Sequence, residues 1–333
     1  MEKCRTCGKP LILKDGECLN CGTSPNDGPV IHPADERAPL IRDIDPSLHL
    51  EVVNGLVFCT DCSSIKGDVF IPPVVNGEMV VGIAEKAFYQ CENLTSVSFD
   101  DSVKTIGAYA FSRCKNLASV TIPDSVVEIG NEAFSNCQSL VQVKLGKSMK
   151  TIGVGAFQGC NSLVSVSFSN AVRIIGGRAF YDCKMLASII IPDSVIEIGK
   201  EVFWNCSQLE TVDLGRSVRR IRSEAFGNCR KLTSIRIPDS TWIIGAGAFS
   251  DCSNLVYAVI PNSVRVIGHN AFYGSNLQNV VIGKFCYRKN KDMAGFPRTA
   301  VIRYNNSFVV RIFRRICSVF DSLFKGVGIS FLK

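Results

Sequence analysis

Apolar residues in the middle of the chain recur with a period of 23 residues. In one such unit, residues 140–145 alternate apolar and polar side chains, which predicts a short half-buried strand. Residues 123–125 (Pro-Asp-Ser) predict a turn, because proline fixes its own φ angle and blocks continuation of a strand. Residues 126–130 predict a second extended piece, and residues 133–137 a turn of helix that carries a phenylalanine inward.

Nine units share this pattern. Their phenylalanines are Phe88, Phe111, Phe134, Phe157, Phe180, Phe203, Phe226, Phe249 and Phe272. A single unit of this size cannot bury its apolar side, but stacked neighbours can. The sequence therefore predicts a β-rich repeat solenoid, a leucine-rich-repeat-like array of nine 23-residue repeats.

Cysteine follows the phenylalanine by three residues in eight of the nine repeats, and Ser275 takes that place in the ninth. These cysteines are Cys91, Cys114, Cys137, Cys160, Cys183, Cys206, Cys229 and Cys252. A redox or metal-binding row is conceivable, but we prefer a simpler interpretation. Cysteine is a small apolar residue with a weak donor, so the column is expected to fill a slot in the core and bond to backbone carbonyls.

Four cysteines near the start have the spacing of a metal site. They are Cys4, Cys7, Cys18 and Cys21, in the arrangement Cys-x2-Cys-x10-Cys-x2-Cys. Two such knuckles can place four thiolates around one tetrahedral Zn²⁺, the alternatives being two disulfides or free thiols. A module of this size has too little core to fold alone, so we predict a structural zinc ribbon without an open position for a catalytic water.

The remaining segments differ in composition. Residues 1–24 form the predicted ribbon, residues 25–47 a proline-rich linker, residues 48–283 the solenoid with an N-terminal cap, and residues 284–333 a basic tail. The tail carries eleven Lys and Arg against two Asp, a balance of +9, which leaves −2 for the rest of a chain whose net charge is +7. The basic character therefore belongs to the tail.

A third Cys-x-x-Cys, Cys59 to Cys62, stands alone. It could be a redox pair, half of an intermolecular metal site, or two small buried residues of the cap, and we favour the last.

The repeat string I-P-x-S-V-x-x-I-G-x-x-A-F-x-x-C-x-x-L-x-x-V resembles the BspA-type, or Treponema-type, leucine-rich repeat family over residues 80–282. Residues 51–77 resemble the lead-in of such arrays, and the cysteine-rich head resembles short zinc ribbons of bacterial multidomain proteins. Family members are extended solenoids, many of them bacterial cell-surface proteins that bind other proteins. The resemblance implies a solenoid that binds protein. This chain departs from the pattern in showing no export signal at its start and in carrying the cysteine-rich head.

No signal peptide or membrane-spanning apolar stretch is visible, so we expect a cytoplasmic protein. Within residues 308–325, apolar side chains at helical spacing face a basic side. Such a helix could cap the last repeat, lie on an anionic membrane surface, or dock on a protein. Membrane association or surface adhesion through this tail is the alternative to a soluble scaffold.

The sequence favours protein binding over catalysis. Only three histidines occur and no catalytic set is suggested, so we predict a non-enzymatic interaction scaffold without a small-molecule substrate or nucleic-acid partner.

One outward column is basic and suits an acidic protein partner, although it could equally be a solvated face. Its residues are Lys104, Lys150, Arg173, Arg219 and Arg265, with Trp242 among them. A second candidate is an apolar cluster of Tyr257, Val259 and Val281.

Overall fold

A computed structural model describes residues 13–14, 17–18, 49–65, 67–283, 296–297 and 300–304. The chain divides into two units between Asp43 and Ile44. In the first unit, strands β1 (Leu13–Lys14) and β2 (Glu17–Cys18) pair antiparallel, with Leu13 opposite Cys18. The second unit contains the repeats.

The N-terminal cap, residues 49–79, precedes the first repeat. Strands β3 (Leu50–Val53) and β4 (Leu56–Cys59) form an antiparallel hairpin, and a 3₁₀-helix spans Cys62–Ser64. Strand β5 (Gly67–Ile71) follows, and then the hairpin of β6 (Val74–Val75) and β7 (Glu78–Met79). The cap therefore supplies a first strand, β4 and β5, to each of the two strand stacks of the solenoid.

Each repeat contributes two short strands to two parallel stacks. The first stack contains β9 (Leu94–Phe99), β11 (Ser119–Thr121), β13 (Gln142–Lys144), β15 (Ser165–Ser167), β17 (Ser188–Ile190), β19 (Thr211–Asp213), β21 (Ser234–Arg236), β23 (Tyr257–Ile260) and β25 (Asn279–Ile282). The second contains β8 (Gly82–Ile83), β10 (Thr105–Ile106), β12 (Glu128–Ile129), β14 (Thr151–Ile152), β16 (Ile174–Ile175), β18 (Glu197–Ile198), β20 (Arg220–Ile221), β22 (Ile243–Ile244) and β24 (Val266–Ile267). Residues 23 apart pair directly, as Val120 does with Val143. The predicted repeat solenoid is confirmed.

Phenylalanine side chains form a continuous stack through the core. Consecutive rings from Phe88 to Phe272 lie nearly parallel, with centroids 4.9–5.5 Å apart, and none of the nine side chains is exposed. Beside them, the thiol of Cys160 donates to the carbonyl of Phe134 at 3.2 Å. The same bond joins each of seven cysteines, from Cys114 to Cys252, to the preceding repeat. These seven cysteines therefore pack and bond as predicted.

The predicted turn of helix around each phenylalanine is wrong. Consecutive β-turns take its place, with left-handed residues such as Lys86 (φ 56°) and Gln90 (φ 60°). The amide of Phe111 donates to Ala133 of the next repeat at 2.7 Å, while the amide of Ala110 donates within its own turn. Because alternate amides bond to the neighbouring repeat, the i→i−4 bonds of a helix cannot form.

The solenoid continues beyond residue 283, where we expected the tail to begin. Phe296 stacks on Phe272 with ring centroids 5.0 Å apart. Strand β26 (Val301–Tyr304) then pairs in parallel with β25, and Val301 lies opposite Asn279. The interval from Phe272 to Phe296 is one residue longer than the repeat, and the cysteine and proline markers are missing from this turn, so its pattern escaped the sequence analysis.

Candidate interaction surface

The basic residues predicted to share one column do so. We call Lys104, Lys150, Arg173, Arg219, Trp242 and Arg265 the cationic column. Each lies immediately before a strand of the second stack, and all six side chains are exposed. Backbone bonds join neighbours: the Arg173 amide donates to Lys150 at 2.9 Å, and the Arg265 amide donates to Trp242 at 2.8 Å. Side chains one repeat apart are therefore held about 4.8 Å apart at their backbones.

Two apolar residues interrupt this column. Val127 separates Lys104 from Lys150, and Ile196 separates Arg173 from Arg219. The single basic ridge expected from the sequence is therefore divided into shorter segments.

The last segment of the column borders an open concavity, which we call the arginine–tryptophan groove. It has a volume of about 490 Å³ and is lined by Arg219, Ser240, Trp242, Asn262, Ser263 and Arg265. Three repeats contribute to it. The turn before each second strand contributes the two serines and Asn262, and the positions immediately before the strands contribute the long side chains.

A second concavity of about 330 Å³ adjoins the groove and shares Arg219 and Ser240 with it. Arg216 lines this part, and its amide donates to the carboxylate of Asp193 at 2.6 Å. Arg216 was missed by the sequence analysis because it lies in the turn, three residues before the column. Alignment of the repeats does show Arg216, which occupies the position of Asp193 in the preceding repeat.

Not every arginine near the groove is available to a ligand. Glu197 forms ion pairs with Arg220 and with Arg222, the latter at 2.6 Å. Burial raises the pKa of Glu197, but the hydrogen bonds from the two guanidinium groups outweigh burial and leave its pKa below the ordinary value. Within the described ranges, no carboxylate lies at ion-pair distance from Arg219 or Arg265. Those two charges are exposed and unpaired.

Position 241 departs from the repeat pattern at the groove. Most repeats have valine there, but Thr241 is buried and its hydroxyl donates to the Val218 carbonyl at 2.6 Å. Ser240 donates to the same carbonyl at 2.7 Å. The hydroxyl of Ser263, another lining residue, is buried and has no hydrogen-bond partner, which costs about 1–3 kcal/mol.

The predicted apolar cluster is less exposed than expected. Tyr257 and Val259 are half-buried, and Val281 is only 9% exposed. The cause is the additional turn of solenoid, since Val281 pairs with Arg303 on β26. This cluster offers little apolar area to a partner.

The lone Cys-x-x-Cys of the cap has a partner that the sequence did not reveal. Cys62 forms a disulfide with Cys91, with Cα atoms 5.1 Å apart, and Cys59 is a free, half-buried thiol. Cys91 is thus not a packing residue like the seven cysteines that follow it, because no repeat precedes it to offer a phenylalanine carbonyl. The interpretation of Cys62 as a residue that only packs is wrong.

Several predicted features lie outside the described residues. Of the zinc ligands, Cys4, Cys7 and Cys21 do so, while Cys18 ends strand β2. The amphipathic segment 308–325 also falls outside. In the part of the chain that the structure describes, no cluster of three metal-binding side chains occurs. A helix long and apolar enough to cross a membrane is likewise absent from those residues.

Comparison with known proteins identifies relatives of the repeat region. The family model described as BspA type leucine rich repeat region matches residues 81–209 and 174–292, together more than half of the 333-residue chain. The solved leucine-rich repeat protein TpLRR of T. pallidum is 31% identical, with a TM-score of 0.50, over 56% of this chain and 87% of that chain. A leucine rich cell surface protein from Faecalibacterium prausnitzii A2-165 is 23% identical, with a TM-score of 0.42, over 79% of this chain and 94% of that one. Among curated proteins, none matches the chain.

Proposed function

Because the chain belongs to the BspA-type leucine-rich repeat family, we propose that it is a non-enzymatic scaffold that binds a protein partner along its repeats. The fold supports such a role, since a solenoid presents a long surface relative to its core. The partner binds at the arginine–tryptophan groove. The observation that carries this assignment is the unpaired pair of Arg219 and Arg265 on either side of Trp242 in one concavity.

The groove suits an extended acidic segment. Each guanidinium can hold a carboxylate through two parallel hydrogen bonds, and the indole offers a rigid apolar contact between them. Arg219 and Arg265 lie two repeats apart, roughly 10 Å at the strand spacing of a sheet. An extended peptide rises about 3.3 Å per residue, so acidic residues three positions apart would reach both arginines.

Fluorescence anisotropy with a labelled peptide tests the assignment. The probe carries two aspartates three residues apart, and its control carries asparagines there. We expect Arg219→Ala and Arg265→Ala each to weaken binding of the probe about tenfold, which corresponds to roughly 1.4 kcal/mol. Added salt should weaken binding by the unaltered protein and have less effect on the variants.

Lys104→Ala is the matched control, because Lys104 lies in the same column but outside the groove. It should bind the probe as the unaltered protein does. If the asparagine peptide bound equally well, or if all three variants bound alike, the groove would not be the binding site.

The four cysteines of the head hold one structural Zn²⁺ in this proposal. The antiparallel pairing of β1 with β2 supports it, since a short hairpin between the two Cys-x-x-Cys pairs of the sequence is the arrangement expected of a zinc ribbon. Four thiolates suit zinc and leave it no open position.

Metal analysis of the purified chain should give about one zinc per chain, and Cys4→Ser combined with Cys21→Ser should abolish zinc binding. Cys160→Ser, a core cysteine, serves as the control. Retention of zinc by the double variant would refute the assignment.

A further inference from the structure

Cys91 is the one cysteine of the described column that does not donate to a preceding phenylalanine. It stands in the first repeat, where the cap replaces a preceding repeat. Its fully buried sulfur bonds instead to Cys62, which is half-buried in the 3₁₀-helix of the cap. The two ends of the disulfide therefore differ in burial, and Cys62 is the more exposed of the two cysteines.

A third cysteine of the cap, Cys59, is a free thiol close to Cys62 in the sequence. Cys59 ends strand β4 three residues before Cys62, and its amide donates to Ala87 of the first repeat at 3.0 Å. Cysteines with two residues between them can pair with each other. Burial raises the pKa of the Cys59 thiol, so at neutral pH it is mostly protonated. It is thus poorly suited to start an exchange.

We propose that Cys59, Cys62 and Cys91 form a thiol–disulfide relay that attaches the β3–β4 hairpin of the cap to the first repeat or releases it. A small thiol such as glutathione, as its thiolate, attacks Cys62 and forms a mixed disulfide there. The Cys62–Cys91 bond breaks, and Cys91 leaves as a thiolate that takes up a proton. Cys59 then gives up its proton and attacks Cys62, expelling the small thiol and forming the Cys59–Cys62 disulfide. One disulfide is lost and one is gained, so no net oxidant or reductant is consumed.

The two pairings have different structural consequences. The Cys62–Cys91 bond closes a loop between residues 29 apart in sequence and ties the cap to the core. The Cys59–Cys62 bond closes a loop within the cap alone. The β3–β4 hairpin of the cap is then held to β8 by the pairing of two residues on each strand, while β5 stays paired with β9 through five residues. Release of the hairpin would expose the edge of β8, and an exposed strand edge invites pairing with another chain. The relay is independent of the arginine–tryptophan groove.

Peptide mapping of the full chain distinguishes the two states. Trypsin releases residues 43–66, which hold Cys59 and Cys62, and residues 87–104, which hold Cys91. Protein purified without reductant should yield these two peptides cross-linked, with Cys59 alkylated. At intermediate ratios of reduced to oxidised glutathione, we expect residues 43–66 with an internal disulfide and residues 87–104 with alkylated Cys91. Hydrogen exchange of residues 50–59 should accelerate at least about tenfold in the same samples, because a cross-link of this length constrains the open state.

Cys59→Ser isolates the relay step. This variant should keep the Cys62–Cys91 disulfide without reductant and accumulate glutathione on Cys62 at ratios where the unaltered protein forms Cys59–Cys62. Cys114→Ser, one repeat further on, should behave as the unaltered protein. The relay is wrong if Cys59 stays singly alkylated at every ratio. It is also wrong if Cys62 and Cys91 are never cross-linked, or if these three cysteines prove to hold zinc that Cys91→Ser releases.

Discussion

Two columns run along this solenoid with the same period and opposite chemistry. The core column has phenylalanine in every repeat and cysteine in eight of nine, because stacked rings attract one another, thiols bond to backbone carbonyls, and both are hidden from water. The cationic column cannot carry a positive charge in every repeat. Like charges about 5 Å apart repel by roughly 0.8 kcal/mol even in water, and Val127, Ile196 and Trp242 interrupt the cations so that no more than two follow one another. Positions that keep the same residue type from repeat to repeat therefore stabilise the fold, and positions that vary are free to bind a partner.

Alkaline pH should lower the free energy of unfolding more than any other change considered, because it ionises the thiols of the core column once they are exposed. Burial raises the pKa of Cys114 and of Cys160 to about 12 from the ordinary value of 9.0. It also raises the pKa of Cys137, Cys183, Cys206 and Cys229. Above pH 9.0 the unfolded chain loses these protons while the folded chain keeps them, so the free energy of unfolding falls as pH rises. Each thiol contributes at most about 1.4 kcal/mol per pH unit, and six together make the decline steep.

Urea unfolding at pH 8, 9 and 10 measures this decline. Cys160→Val removes one ionisable thiol while nearly keeping the volume, so its stability should fall less steeply with pH than that of the unaltered protein. A free energy of unfolding that stays level from pH 8 to pH 10 would mean that the thiols are not buried as a column.

The core column was predictable from sequence and its local backbone was not. A strict period of 23 identifies which side chains stack, because each copy repeats the same burial, and it identified the family as well. The turn of helix was predicted from a short segment whose hydrogen bonds in fact go to the next repeat, a partner invisible in one unit. The bond between Cys62 and Cys91 was missed for a related reason: Cys62 lies outside the period. The cationic column was found by alignment, but the pairing of Arg222 with Glu197 depends on side-chain geometry.

Removing one ring from the core column should be the next largest effect. Phe157 is fully buried and stacks between Phe134 and Phe180 at 5.4 Å on each side. Phe157→Ala should cost about 3–5 kcal/mol, since the cavity cannot collapse between fixed neighbours. The melting temperature should fall by on the order of 10 °C. Val154→Ala in the same repeat is the control, because Val154 is 49% exposed and should change stability little. Zinc content should remain at one per chain in both. Equal melting temperatures would contradict the register of the solenoid.

The smallest effect is expected from the surface charges, where Arg222→Ala tests whether charge pairs contribute to the fold. Arg222 is half-exposed and donates a hydrogen bond to Glu197 at 2.6 Å, so its loss at pH 7 should cost less than about 1 kcal/mol.

The hydrogen bonds from Arg222 and Arg220 hold the pKa of Glu197 below its ordinary 4.5 despite burial. This stabilisation is present above pH 4.5 and is lost as pH falls through the folded-state pKa of Glu197. The melting temperatures of Arg222→Ala and the unaltered protein should therefore converge below pH 4.5, while Arg173→Ala, which has no carboxylate partner among the described residues, matches the unaltered protein throughout. A loss as large as that of Phe157→Ala would place the charges among the interactions that hold the fold, and the two columns would no longer differ in kind.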